Sequence, residues 1–377
     1  MAINLRSPYY EGTSITNTSY VVLDMSIWSG SSASPVSAQY TLTKSVIGSS
    51  VDVFFELSEL IRDYLDITFD GNYTGQNVWV KTFRTVYNSA GTVLDIIPAL
   101  NIAYDGYSYF EETNFNIDNN PLLISNREVF VLDDNLLRIP INTKNNPTVT
   151  FYLNNKILSA QSFTSSLLSS EQIKYTTLNG QVNYTTYKER VVEDSGTFED
   201  STCLKSFLDK NSIGKVDKVV VSANGITSTL IIKTIEECKY DPKKVTFINK
   251  FGVLQDMYFF KKSIEKMEVK KESYKANVLS STGTYNRTTH TNRDFNITAN
   301  ESIKLSSGYL NEQYNEVFKQ LLLSEKVWIT NVLDSGEQIT PINVTTSNIT
   351  YKTSLNDRLV EYSIEFDNSF NVINNIR

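Results

Sequence analysis

Cysteine, histidine, phosphate-binding glycine motifs and long apolar runs are all scarce or missing in this chain of 377 residues, and each shortage removes a class of function. Only Cys203 and Cys238 occur, with the single histidine His290. A small disulfide scaffold needs more cysteines, and two thiols plus one imidazole do not complete a standard structural zinc site. The cysteines read as free or buried thiols, with one Cys203–Cys238 bridge as the alternative. His290 lies in the polar stretch TYNRTTHTNRD, with no HExxH context and no G-x-S-x-G elbow elsewhere, so it reads as a solvated loop residue. There is no G-x-x-x-x-G-K-[ST], no G-x-G-x-x-G and no D-x-[DN]-x-[DN]-G loop. No catalytic, cofactor-binding or metal-binding residue is assigned, no cofactor is expected, and the chain is expected not to be an enzyme.

No window approaches the 18 apolar residues of a membrane-spanning helix, so no membrane insertion is expected. The opening MAINLRSPYYEG lacks the charged and apolar regions of a signal peptide. Basic character is also short: 35 Lys and Arg stand against 42 Asp and Glu, a net charge of −7, which argues against sequence-specific nucleic-acid contact. The densest basic run, Lys261 to Lys275, is interrupted by Glu265, Glu268 and Glu272 and reads as a mixed, solvated surface. Acidic pairs such as Glu111/Glu112, Asp133/Asp134 and Glu193/Asp194 with Glu199/Asp200 could suit a glycosidase or a divalent cation. A β-rich chain supplies such pairs by chance, and solvated loops are the simpler reading.

What is present is alternation. In TSYVVLDMSIW, Val21, Leu23, Met25 and Ile27 share a face; in RLVEYSIEF, Val360, Tyr362, Ile364 and Phe366 do the same. NVWVKTFRTVY, PTVTFYLNN, DKVVVSA, STLIIKT and KVTFINK add strands rich in β-branched and aromatic residues. Two segments instead follow helical spacing. ELSELIRDYLD sets Leu57, Leu60, Ile61, Tyr64 and Leu65 on one face, and GYLNEQYNEVFKQLLLSEK does so with Leu310, Tyr314, Phe318, Leu321 and Leu322. The fold class is therefore mainly β: several β-sandwich-like domains, the first Ig-like, with two short amphipathic helices packed on sheets. The expected blocks are a β-sandwich with one helix over 1–110, a linker at 111–117, a β-rich middle domain over 118–242, and a β-rich C-terminal domain over 243–377. The last carries one helix and a long polar arm, STGTYNRTTHTNRDFNITANES, read as a loop or strand-poor segment.

FINKFGVLQDMYFF, residues 247–260, reads as a hairpin with Phe251 beside the turn glycine Gly252, where water would normally reach it. Two accounts fit. Phe251 either folds back over its own hairpin, toward Val253 and the helix around Phe318, or docks into a neighbouring subunit. Phe251, Tyr258, Phe259, Phe260 and the terminal Arg377 are the candidate interface residues.

Three segments carry a resemblance. VFFELSELIRDYLD after YTLTKS resembles a Y-x-L-x-K … F-x-[IL]-S-x-[IL]-I-R-D-[YF] stretch of virion structural proteins from tailed bacteriophages. FINKFGVLQDMYFF is similar to an [FI]-x-N-K-[FY]-G-x-x-[QD] hairpin of the same proteins, and LNDRLVEYSIEFDNSFNVINNIR resembles their closing segment. The likeness leaves the middle block, about 118 to 240, without a match. It implies a β-rich tail, neck or baseplate component, a homo-oligomer assembled in rings in the host bacterial cytoplasm, located in the virion, and partnered by copies of itself and other virion proteins. A receptor- or carbohydrate-binding virion protein is the alternative; a glycan hydrolase ranks last, since no β-helix repeat is visible.

Overall fold

In the computed structural model, residues 2–29, 35, 37–47, 51–73, 77–112, 120–132, 138–142, 146–162, 183–186, 216–235, 237, 239–277, 279, 282–284, 288–333, 336–350 and 359–373 are described. Strands account for 55% of the described residues and helix for 5%, which makes the fold mainly β, in several separate sheets consistent with multiple β-sandwich-like domains.

The first sandwich is built from β1 (Ala2–Asn4), β2 (Tyr10–Ser14), β3 (Tyr20–Trp28), β4 (Tyr40–Ser45), β5 (Asp52–Glu56), α1 (Ser58–Arg62), β6 (Asn77–Tyr87) and β7 (Val93–Tyr104). One sheet has the order β1-β7-β6-β3-β4 and the other pairs β2 with β5. The alternation read in β3 is what buries Val21, Leu23, Met25 and Ile27, because successive side chains of a strand point to opposite faces. They meet Val53, Phe55, Leu57 and Ile61 in a single core. Helix α1 is shorter than its sequence pattern. Leu57 and Ile61 are buried, whereas Tyr64 lies beyond the helix and is exposed, edge-on to Tyr40 at 6.1 Å.

The second group comprises β8 (Glu128–Val131), β9 (Arg138–Ile141), β10 (Thr148–Leu153), β11 (Lys156–Ser162), β12 (Asn183–Thr186), β13 (Lys218–Ala223) and β14 (Ile226–Thr234). Its sheets run β11-β10-β13-β14-β8 and β12-β9. Val149, Phe151, Val219, Val221, Leu230 and Ile232 form the core with Ile139 and Ile141. Asn224-Gly225, both at positive φ, closes the β13–β14 hairpin, as a tight turn of this hand requires.

The remaining elements are β15 (Lys243–Ile248), β16 (Leu254–Phe259), β17 (Ile264–Lys275), β18 (Asn292–Ser306), β19 (Leu310–Asn311), α2 (Tyr314–Leu322), β20 (Val327–Leu333), β21 (Gly336–Val344), β22 (Leu359–Val360) and β23 (Ser363–Asn368). Here the chain is shared between two compact units. One contains Met1–Glu236, Thr246–Met257 and Gln313–Ser324; the other contains Glu237–Val245, Tyr258–Glu312 and Glu325–Arg377. The block from 243 onward thus contributes to both. The hairpin turn around Phe251 and helix α2 belong to the first unit: Phe251 and Val253 are buried among its side chains, and Tyr314 of α2 packs on Phe130 with centroids 5.9 Å apart and donates to the Glu128 carbonyl at 2.8 Å.

The second unit centres on the run β20-β21-β23-β18-β17, to which the Lys243–Val245 and Tyr258–Phe259 ends of β15 and β16 also contribute. Val360, Tyr362, Ile364 and Phe366 all point inward as the sequence pattern requires, although the strand is interrupted between β22 and β23. The second half of the polar stretch expected to be strand-poor, from Asn292 onward, is instead strand. Asn292–Ser306 forms β18 and pairs with β17 along its length. Its polarity reflects exposure on both faces, which erases the apolar alternation that marks a half-buried strand.

Candidate functional site

The turn between β15 and β16 answers the question posed by Phe251. Asn249 organises it: the amides of Phe251 and Val253 donate to Asn249 Oδ1 at 2.9 and 3.4 Å, and Gly252 N–H donates to the Asn249 carbonyl at 2.9 Å. The Asn249 amide group donates in turn to Leu123 O at 2.8 Å and Gln255 Oε1 at 2.9 Å. Phe251 is 5% exposed and packs with Trp28, Trp79, Tyr104, Ile102, Leu123 and Val253. Trp28 and Trp79, direct cross-strand partners on β3 and β6, stack with centroids 6.2 Å apart.

Four candidate interface residues are therefore described. Phe251 is buried in its own chain, with Val253 as expected but with the tryptophan pair rather than the helix around Phe318 in its cluster. In the second unit, Tyr258 and Phe259 are buried too, Phe259 edge-to-face with Phe366 at 6.0 Å. All three are thus enclosed by residues of their own chain. Phe260 is half-buried against the backbone of Gly308, where a Cβ would fall 2.5 Å from its ring. Arg377 lies outside the described residues, as do Cys203, Cys238 and the acidic residues 133, 134, 193, 194, 199 and 200. His290 is exposed, its carbonyl accepting from Arg293 Nε at 3.4 Å.

Beside Phe251 the first unit holds a polar cavity of about 770 Å³, lined in part by Tyr109, Glu112, Arg127, Lys250, Glu316 and Lys319. Several of its polar groups are matched to one another. Lys250 Nζ lies 2.8 Å from Glu112 Oε1, Tyr109 OH donates to Glu316 Oε1 at 2.7 Å, and Lys319 Nζ sits 3.5 Å from the Tyr109 ring centroid. Burial acts to raise the Glu112 carboxyl, but hydrogen bonds from Lys250 and the Tyr109 amide, with the lysine charges, outweigh it and hold it below its ordinary value. Burial, then the hydrogen bond to Glu316, drives the Tyr109 phenol upward. The first is held ionised and the second neutral, so this pair is arranged for fixed charge rather than proton exchange near neutrality. Among the described residues no group of three or more His, Cys, Asp or Glu is placed to hold a metal ion.

A different surface stands out in the second unit. Strands β17 and β18 form a long hairpin in which β18 pairs with β23 only over Ser302–Ser306. Residues 292–301 pair with β17 alone, giving a two-stranded arm of roughly 30 Å at about 3.3 Å per residue. Every residue of β17 is exposed. Met267, Val269, Tyr274, Phe295 and Ile297 place apolar surface in water along it, with Tyr274 and Phe295 edge-to-face at 5.6 Å. Lys270 faces Thr298 whereas Glu272 faces Phe295, so the extra residue of a bulge is on β18. Asn296 there has φ of 51° and ties back to Glu272 Oε1 at 3.0 Å. Strand β17 is consequently regular, and among the described residues no strand pairs with its other edge. Sequence reading placed an arm in this region and took the Lys261–Lys275 run for a mixed, solvated surface, which the exposure of β17 matches; that the run is a strand went unread, the period-two spacing of Met267 and Val269 being the available signal.

Comparison with known protein-family models gives no match, and comparison with curated protein sequences gives none.

Proposed function

We propose that this chain is a non-enzymatic structural component of a bacteriophage virion, a ring-forming tail, neck or baseplate protein that acts through contacts with copies of itself and with other virion proteins. The observation that carries the reading is the β17–β18 arm. A two-stranded ribbon is marginally stable by itself in water. This one presents an edge with which no strand among the described residues pairs, and five large apolar side chains, Met267, Val269, Tyr274, Phe295 and Ile297, that its own fold leaves about half exposed. Burying a fully exposed side chain of this kind is worth roughly 1.5–3 kcal/mol, and because these are about half exposed each would contribute about half of that on being covered by a neighbouring subunit. The sequence resemblance supplies the virion setting, and the net charge of −7 would limit adhesion to passing DNA.

The test is to replace residues 270–298 by an Asn-Gly turn joining Val269 to its partner Ala299. The shortened chain should keep its circular dichroism and thermal transition while losing incorporation into larger assemblies, read as mass by light scattering and as presence in purified particles. A full-length chain that is strictly monomeric and never enters a particle would refute the proposal. A receptor- or carbohydrate-binding role is the second reading, favoured by the polar cavity beside Tyr109 and Arg127. Silence on a glycan array would remove it.

A further inference from the structure

Strand β17 carries an unusual charge order. On one face stand Lys266, Glu268, Lys270 and Glu272, and the residues directly across on β18 are Ser302, Asn300, Thr298 and Phe295. None of the four finds an opposite charge directly across the ladder. Ile264 and Tyr274, both about half exposed, bracket the row. Lysine on an edge strand ordinarily discourages pairing with another chain. Glutamate interleaved with it reverses that effect for one partner: a strand bearing the same row in the opposite direction.

We infer that the free edge of β17 pairs antiparallel with β17 of a second copy of this chain, in the register that sets Val269 opposite Val269. A two-fold axis perpendicular to a continuous sheet keeps each face on its own side, so even-numbered residues oppose even-numbered ones. With Val269 at the axis, Lys266 meets Glu272, Glu268 meets Lys270, and Ile264 meets Tyr274, each contact occurring twice. Moving the axis one residue, to Glu268 or Lys270, puts like charges opposite each other, which is destabilising in a ladder. Moving it two residues, to Met267 or Lys271, leaves half of the charge matches. The bulge lies on β18, so it does not interrupt the pairing edge.

This deepens the assembly reading by naming the partner of the arm: the two-fold contact joins copies in pairs and leaves the closing of any ring to other surfaces, and it rests on that reading only in requiring a contact at β17. The experiment is a charge exchange followed by sedimentation equilibrium on the full chain. Wild type should dimerise. Glu268→Lys and Lys270→Glu, each placing two like-charge pairs across the axis, should weaken the dimer at least ~10-fold, and the double exchange should restore it. Both positions are exposed and face neutral residues on β18, so each variant should keep the wild-type thermal transition. A wild type that remains monomeric at its highest soluble concentration, single exchanges without effect, or a double exchange that fails to restore association would each overturn the inference. A chain monomeric alone yet built into particles through the arm would overturn the self-pairing and leave the assembly reading standing. A dimer that obeys the exchange in a chain that never enters a particle would do the reverse.

Discussion

Gly252 and Gly106 lie backbone to backbone: a Cβ on Gly252 would fall 2.8 Å from the Gly106 amide nitrogen, and a Cβ on Gly106 would fall 2.9 Å from the Lys250 carbonyl oxygen. Gly252 also has φ of +76°, a region that L side chains rarely adopt. Gly252→Ala therefore meets both backbone strain and a collision with main-chain atoms that cannot rotate away. Gly225 shares the same φ but has nothing within 4 Å of its Cβ position. In urea titrations Gly225→Ala should lose about 1 kcal/mol and Gly252→Ala distinctly more, the excess measuring the close approach.

Phe251 gives the sharpest discrimination between packing and docking. Its ring is enclosed by Trp28, Trp79 and Tyr104. Phe251→Ala should destabilise the first unit by about 3–5 kcal/mol in denaturant unfolding. Phe251→Asp should prevent that unit from folding. A soluble, folded Phe251→Asp chain that had merely lost association would instead make the ring an interface group.

Glu11 is a buried carboxylate in the first sandwich. It accepts from Thr82 Oγ1 at 2.7 Å, from Asn101 Nδ2 at 3.2 Å and from Tyr9 OH at 3.2 Å, with Arg84 Nε 3.5 Å away. Glu11→Ala strands a largely buried guanidinium and three donors. The loss should be about 3–5 kcal/mol, visible as a lowered urea midpoint.

The Glu112–Lys250 pair makes a prediction about pH. Glu112 is held below its ordinary value near 4.5 in the folded chain, so folding is favoured by its ionised form. That contribution is complete above pH 4.5 and fades as pH falls through the lower, folded-state value. Wild type should be more stable than Glu112→Gln at pH 7, and the gap should close on acidification below 4.5. Thermal melts of both chains across that range provide the check. Because Glu112 is about a third exposed, the gap should be small.

Legibility in the sequence followed burial. Strand β3 and the β22–β23 face were readable because one side of each meets a core and the other does not. Strand β18 was not, because water reaches both of its faces along 292–298 and its composition therefore looks like a loop. The position of Phe251 was equally hidden. Its neighbours Trp28, Trp79 and Tyr104 are more than 140 residues away in sequence, and no local period announces such a contact. The glycine beside it was visible, but a turn glycine does not reveal whether its outer side faces water or another stretch of backbone. For the arm, the alternating signs of Lys266 to Glu272 were in plain view, and only the pairing with β18 shows that nothing across the ladder neutralises them.

The first unit takes its last pieces from Thr246–Met257 and Gln313–Ser324, with a short excursion, Glu237–Val245, before them and a long one, Tyr258–Glu312, between them. No single cut can release it whole, and a ribosome must have delivered residue 324 beyond its exit tunnel before every part of that unit is in hand. Truncated messages ending earlier would yield chains whose tryptophan-lined cleft or helix seat stands open, marking them for chaperones and proteases until synthesis is finished.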